Sequence, residues 1–414
     1  MPKISIAKLG PGLLFAGCAV GVSHLVQSTR AGADFGWGLI WALLLINLFK
    51  YPFFQYGPRY ALSTGESLLD GYHRMGKGYL LLYFILNCVM MFAIQAAVTV
   101  VTAGLATQLF GNSSSIVLWC VLLIVICSAI LILGKYKFLD GFIKIIMVVM
   151  ALCSIAAVIV AFVQGNSAPD LTLTQIMPKG SEVLFLLAFM GWMPAHLDGS
   201  VWYSLWAIEK SKTQKVTYKE SLFDFNVGYI ASVILALCFL SLGALVMFGS
   251  GEIFSSQGAV FAGQLINIYT STMGQIFFGL IALAAFSTML STTITCLDAS
   301  PRAMTRSIEL LLPKSPLVKS ANSDKKLYVL WMIVVAIGTC FIFVFFLSEM
   351  GTLVQIATVL SFISAPIYAF LNLKVVTSRH MPSEKRPSNT LRIISILGIF
   401  FLLGFTIYFL STLL

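Results

Sequence analysis

Eleven runs of apolar residues, each long enough to cross a bilayer, follow one another along the chain at about 10–33, 37–58, 79–110, 115–134, 138–164, 182–206, 223–249, 259–296, 327–347, 350–373 and 391–413. A transmembrane helix needs about 20 such residues. Within lipid every backbone N–H and C=O must be satisfied by the spanning segment itself, which leaves helices as the solution for runs of this kind. The expected fold class is therefore an all-α polytopic membrane protein with 11 transmembrane helices. Composition agrees, since 59% of the 414 residues are hydrophobic and only 10% are Asp, Glu, Lys or Arg, against about 25% charged residues in soluble chains. A single-domain enzyme fold in water is excluded. The chain has no phosphate-cradling GxxxxGK(S/T), no HExxH and no GxSxG, so no catalytic residue, no cofactor and no enzymatic activity are expected.

The basic residues set an orientation. With the N-terminus in the cytoplasm, the cytoplasmic segments carry Lys3 and Lys8, then Arg59, Arg74 and Lys77, then Lys135 and Lys137. Further along they carry Lys210, Lys212, Lys215 and Lys219, then Arg302, Arg306, Lys314, Lys319, Lys325 and Lys326, and finally Lys374, Arg379, Lys385, Arg386 and Arg392. The opposite side keeps only Arg30 and Lys179. This is the positive-inside pattern. The formal charge of +10 thus reflects topology and attraction to anionic lipid, and the expected partners are the lipid bilayer and a small inorganic ion, with no nucleic acid. An odd number of spans puts the C-terminus outside. The short loops suggest a bacterial cell (inner) membrane, a monomer is expected, and the N-terminal stretch is not expected to be a cleaved signal peptide. All eight cysteines lie in apolar runs without a CxxC pair and read as membrane-core residues.

Two spans are chemically unlike the others. The first places Gly17, Gly21, Ser23, His24, Gln27 and Ser28 at membrane depth, and the sixth interrupts its apolar run with Gly191, Pro194, His196, Asp198, Gly199 and Ser200. Glycine and proline release helical backbone groups that lipid cannot satisfy, so an unwound stretch there must line a cavity or be buried in protein. The two spans are five helices apart and cross in opposite directions. Interrupted helices at matching positions of two inverted halves point to a secondary transporter with a midplane binding site. The expected organisation is a first repeat over residues 1–165, a second over 166–375, and an additional helix over 376–414.

Several patches carry a family resemblance. Gly10-Pro11-Gly12 and Ala31-Gly32-Ala33-Asp34-Phe35-Gly36 frame the first span. They are followed by Thr64-Gly65-Glu66, Met193-Pro194, Ser291-Thr292-Thr293-Ile294-Thr295 and Pro366. In order and spacing these resemble the Nramp family of divalent-metal transporters, which implies a LeuT-like fold of 5+5 inverted repeats plus one extra helix. The family's functional residues are altered. Where it carries Asp-Pro-Gly-Asn in the first span, this chain has Gly21, Val22, Ser23 and His24, so the metal carboxylate is missing. Where it carries Met-Pro-His-Asn in the sixth, this chain has Met193, Pro194, Ala195 and His196. The acids of the third span that the family links to proton passage fall at Gln95 and Val98, and the metal-facing Gln of the tenth span falls at Thr358.

The resulting candidate substrate-binding set is Gly21, Ser23, His24, Met193, Ala195, His196, Asp198 and Thr358, with His24, Met193 and Asp198 as candidate metal ligands. His24 either meets the substrate or hydrogen-bonds across the break, because an imidazole suits borderline-soft metals. Met193 offers a thioether to softer ions, though methionine also fills gaps. Asp198 either restores the charge that Gly21 lacks or caps the inner half-helix. Ser291 and Thr292 form a candidate sodium site. Lys50 and Lys144, each within an apolar run, are expected to snorkel to the cytoplasmic interface, and the loop from 297 to 326 is expected to carry a short interfacial helix starting at Ser300-Pro301.

The leading functional expectation is a secondary transporter or facilitator that moves a small cation, a divalent metal, by alternating access without the family's proton-coupling acids. The alternative keeps the fold and changes the substrate to a small anion or organic solute, with or without sodium.

Overall fold

The computed structural model describes residues 19–111, 115–134, 136–165, 171–213, 217–252, 254–255, 258–315, 318, 322–346 and 350–412. Gly10-Pro11-Gly12, Gly17, Lys135, Lys215, Lys319 and the start of the chain lie outside them, as does the side chain of Lys144. The regular secondary structure of the described residues is helical, with no strand among them.

After a π-helical segment at Ser23–Ser28 the α-helices are α1 (Thr29–Phe35), α2 (Ile40–Thr64), α3 (Leu68–Met75), α4 (Lys77–Phe110), α5 (Ile116–Ile132), α6 (Tyr136–Gln164) and α7 (Glu182–Trp192). They continue as α8 (Gly199–Thr213), α9 (Tyr218–Leu242), α10 (Gly258–Met273), α11 (Phe278–Leu311), α12 (Ser323–Phe346), α13 (Met350–Val376) and α14 (Asn389–Thr412). Short polar signals start two of the helices. Asp70 accepts from the Ser67 backbone N–H at 2.9 Å while Ser67 Oγ accepts from Asp70, and Thr217 and Glu220 repeat the arrangement at the head of α9. Such reciprocal caps satisfy N–H groups that a helix start leaves without partners.

Among the described residues six helical segments are long and apolar enough to cross a membrane: Lys77–Phe110, Tyr218–Met247, Gln275–Leu311, Ser323–Phe346, Val354–Val376 and Asn389–Ser411. Their burial separates centre from rim. The apolar window of Gln275–Leu311 is 78% buried inside the protein, whereas those of Ser323–Phe346 and Asn389–Ser411 are 22% and 28% buried. α12 and α14 therefore leave most of their apolar surface for lipid, and α11 forms the middle of the bundle against α4 and α12. On either side α2 packs on α8 and α7 on α13.

Two glycines set how closely the interrupted spans are gripped. A Cβ at Gly191 of α7 would lie 2.1 Å from the Thr358 carbonyl oxygen of α13, and one at Gly32 of α1 would lie 1.9 Å from the Leu240 carbonyl oxygen of α9. Small residues allow this backbone-to-backbone approach.

The structure corrects two expectations. The run at 259–296 is two helices, α10 and α11, separated by a turn at Gly274 and one 3-10 turn at Gln275–Phe277. The interfacial helix expected to start at Ser300-Pro301 is instead the continuation of α11, which runs through Pro301 to Leu311. Tertiary contacts hold that extension despite the hydrogen bond the proline removes. Arg302 Nε meets Asp298 Oδ2 at 2.7 Å, Tyr328 of α12 donates to Asp298 Oδ1 at 2.6 Å, and Arg306 joins Asp70 of α3 to Glu309.

Candidate functional site

The first span is irregular where its sequence loses apolar character. Residues Val20 and Gly21 bend, the His24 and Leu25 N–H groups donate to the Gly21 carbonyl at 3.1 and 3.0 Å, and the chain then winds as a π-helix through Ser28 before α1 begins. Wide helical turns of this kind are rare and gather at functional sites. A Cβ at Gly21 would meet Thr292 Cγ2 of α11 at 2.9 Å, so the bend and the Ser/Thr-rich face of α11 are in contact.

The sixth span stops and restarts. α7 ends at Trp192, the Met193–Pro194 peptide is cis, and helical structure resumes at Gly199. The Asp198 carbonyl accepts the first bond of α8 from Val201 N–H at 2.9 Å. Its carboxylate Oδ1 lies 2.6 Å from His196 Nδ1 while Oδ2 has no hydrogen-bond partner among the described residues, and the residue is 0% exposed.

The two interruptions touch. Ser23 Oγ lies 3.2 Å from the Pro194 carbonyl oxygen, 2.7 Å from the Ala19 carbonyl oxygen and 2.7 Å from His24 Nδ1. Beside this contact is a cavity of about 20 Å³, room for one water molecule. Ala19, Val22 and Ser23 line it from the first break, Trp192, Ala195 and His196 from the sixth, Ile94 and Val98 from α4, and Thr292 and Cys296 from α11. Among the described residues no carboxylate lines it, and no group of three His, Cys, Asp or Glu side chains converges anywhere to hold a metal. What it offers an ion is a hydroxyl from each of Ser23 and Thr292, the His196 imidazole and the Cys296 thiol.

Of the residues expected at the site, Ser23, Ala195, His196 and Thr292 come together at the cavity, with Gly21 pressed on Thr292. The others stand behind it. His24 is 0% exposed; its Nε2 donates to the Ser232 carbonyl of α9 at 2.9 Å and its Nδ1 faces Ser23 Oγ. Met193 is 0% exposed in the apolar core. Thr358 Oγ1 donates back to the Val354 and Gln355 carbonyls of its own helix at 2.9 Å, and Ser291, one residue before Thr292, is 5% exposed and does not line the cavity.

Lys50 is the residue that sequence reasoning misplaced. It does not reach the protein surface, contrary to the expected snorkelling. It is 0% exposed, and its ammonium donates to the carbonyls of Met190, Gly191 and Ala195 at 2.8, 2.7 and 3.2 Å. Its stem is long enough to snorkel, but the free carbonyls at the end of α7 lie nearer than water. Trp192 and Cys296 were also missed. Both sit in apolar runs whose periodicity does not single them out.

Comparison with known proteins adds the following. A family model described as Nramp, natural resistance-associated macrophage protein-like, matches residues 12–412. The uncharacterized protein PM0681 of Pasteurella multocida is 39% identical over 410 residues, covering 98% of this chain and 92% of that protein. The divalent metal cation transporter MntH of Staphylococcus haemolyticus is 26% identical over 324 residues, covering 74% and 71%. Among solved structures, a mutant of the Eremococcus coleocola manganese transporter superposes with a TM-score of 0.69 at 16% identity, covering 98% of this chain and 86% of that one. Mhp1, a nucleobase-cation-symport-1 family transporter in a closed conformation, superposes with a TM-score of 0.60 at 12% identity, covering 98% and 91%. The fold is LeuT-like.

Proposed function

Because the chain belongs to the Nramp family, we propose that it is a transporter of divalent metal cations that works by alternating access. The observation that carries this reading is the contact of the two interrupted spans over one small buried cavity at Ser23, Pro194 and Thr292. Broken helices of inverted halves meeting near the midplane are where such folds bind substrate. The names of the manganese transporter and of MntH support a divalent metal as cargo.

The donor set argues for how the ion is held. With hydroxyls, an imidazole and a thiol but no carboxylate among the described lining residues, a bare divalent ion would find little compensation for its lost water. Hard divalent cations that dehydrate reluctantly keep several waters and use few protein ligands. The cavity must widen to admit one, since its volume of about 20 Å³ has room for a single water. With Gln95 and Val98 at the third-span positions, the membrane potential alone is the driving force, at about 2.3 kcal/mol per charge per 100 mV.

On this reading the chain makes eleven spans in a bacterial inner membrane, with a cytoplasmic N-terminus and an extracytoplasmic C-terminus. Residues 1–165 and 166–375 form the inverted repeats, and one copy suffices.

Reconstituted protein tests the proposal. Liposomes are loaded with a divalent-sensitive dye and given a potassium diffusion potential, with Mn, Mg and Ca as separate arms. The expected result is potential-driven influx that a pH gradient at zero potential does not produce. Absence of influx for every divalent ion, with flux of a small anion or of a sodium-dependent solute instead, would replace the reading with the alternative substrate class.

A further inference from the structure

Lys50 carries a charge into the centre of the protein that the transport reading does not use. Its ammonium has three N–H donors, and the carbonyls of Met190, Gly191 and Ala195 take all three at 2.8, 2.7 and 3.2 Å. Two of these carbonyls close the last turn of α7 and the third lies past the cis Met193–Pro194 bond, so one side chain of α2 bridges both sides of the break. The end of a helix presents the negative pole of its dipole. Carbonyls freed at broken helices are the groups that bind cations in folds of this class. Among the described residues Asp198 is the acid whose charge acts on Lys50. It is 0% exposed and its Oδ2 lacks a hydrogen-bond partner among the described residues. A buried charge needs pairing and hydrogen bonds: the three carbonyls satisfy the Lys50 donors, and Asp198, itself bonded to His196, supplies opposite charge without a hydrogen bond to Lys50.

We propose that Lys50 is a built-in cation filling a carbonyl cage at the sixth-span break, and that without its ammonium this cage binds a free monovalent cation of similar size, such as ammonium or potassium. Ala195 lines the substrate cavity while its carbonyl is held by Lys50, so the tether also withdraws one oxygen from the transported ion. That last consequence rests on the transport reading; the cage itself does not.

The test is the melting temperature of the purified full-length protein in ammonium, potassium and choline chloride at equal ionic strength. Wild type and Lys50→Arg, which keep the positive charge, are expected to be indifferent to the salt. Lys50→Met is expected to melt at least about 2 °C higher in ammonium or potassium than in choline, as binding to the folded state alone raises the midpoint. A folded Lys50→Met with the same midpoint in all three salts overturns the proposal. If Lys50→Met is not recovered in any salt, Lys50→Met/Asp198→Asn decides. Recovery of the doubly neutral protein supports charge balance at the break, and its loss together with the single variant overturns it. In liposomes, Lys50→Met should gain a dependence of manganese uptake on ammonium or potassium. A wild type that moves no divalent ion would remove the transport reading and leave the melting result standing.

Discussion

The two interrupted spans meet at one cavity and are held by different chemistry. The first is stitched by neutral groups: Ser23 bridges to Ala19 and Pro194, and His24 reaches the Ser232 carbonyl on α9. The sixth is held by charge, with Lys50 on the carbonyls of α7 and Asp198 on His196. Neither charge lines the cavity. The lesson is that a chain can keep ionisable residues at the depth where a transporter binds its ion and still assign them to the scaffold. In lipid, free carbonyls at a broken helix need a donor, and an ammonium from a neighbouring helix serves as well as an ion.

The contrast can be broken most severely at Asp198. Removing one partner of a buried charged pair costs about 3–5 kcal/mol, so Asp198→Ala should lower stability by that amount in a denaturant or thermal series. An Asp198→Ala protein as stable as wild type would mean the sixth break is not held by charge. Next in size is Gly191→Ala. Its new Cβ would fall 2.1 Å from the Thr358 carbonyl oxygen, and the resulting separation of α7 from α13 should cost about 1–3 kcal/mol. Gly32→Ala, 1.9 Å from the Leu240 carbonyl oxygen, should cost about the same. Unequal losses would show that one break tolerates displacement better than the other.

His24→Ala removes the side-chain hydrogen bond to the Ser232 carbonyl, a loss of about 0.5–1.5 kcal/mol, the net worth of one hydrogen bond. His24→Gln should recover part of it, and calorimetric titration with manganese should change little in either variant. A lost manganese isotherm in folded His24→Gln would move His24 from scaffold to ligand. The smallest stability effect belongs to the cavity itself. Thr292→Val should change the midpoint by less than about 1 kcal/mol. It should also raise the half-saturating manganese concentration by about 2–10-fold, the worth of one net hydrogen bond. An unchanged uptake curve would place the ion elsewhere.

Much of this was legible in the residue order. Apolar run length located most helices to within a few residues, because a span must satisfy its own backbone. The two broken spans announced themselves by Gly21, Pro194 and the polar residues around them, and Ser23, Ala195, His196 and Thr292 do meet at the cavity. The run at 259–296 and the extension of α11 past Pro301 were misread. The first needed only one turn at Gly274, and the second is stabilised by Asp70 of α3 and Tyr328 of α12, which lie on other helices. Lys50 was misread for the same reason. Its own neighbours, an apolar run with a cytoplasmic end nearby, fit snorkelling, and nothing within reach along the chain reveals the carbonyls of Met190 and Gly191.

The order of residues by itself determined that the chain is helical and where its backbone must come unwound, since both follow from local composition and spacing. Tertiary structure alone decided which polar groups face the cavity and which brace it. Helix rotation and the crossing of distant spans choose the partners of His24, Lys50 and Asp198, and the Lys50 ammonium settles where all three of its donors find carbonyls.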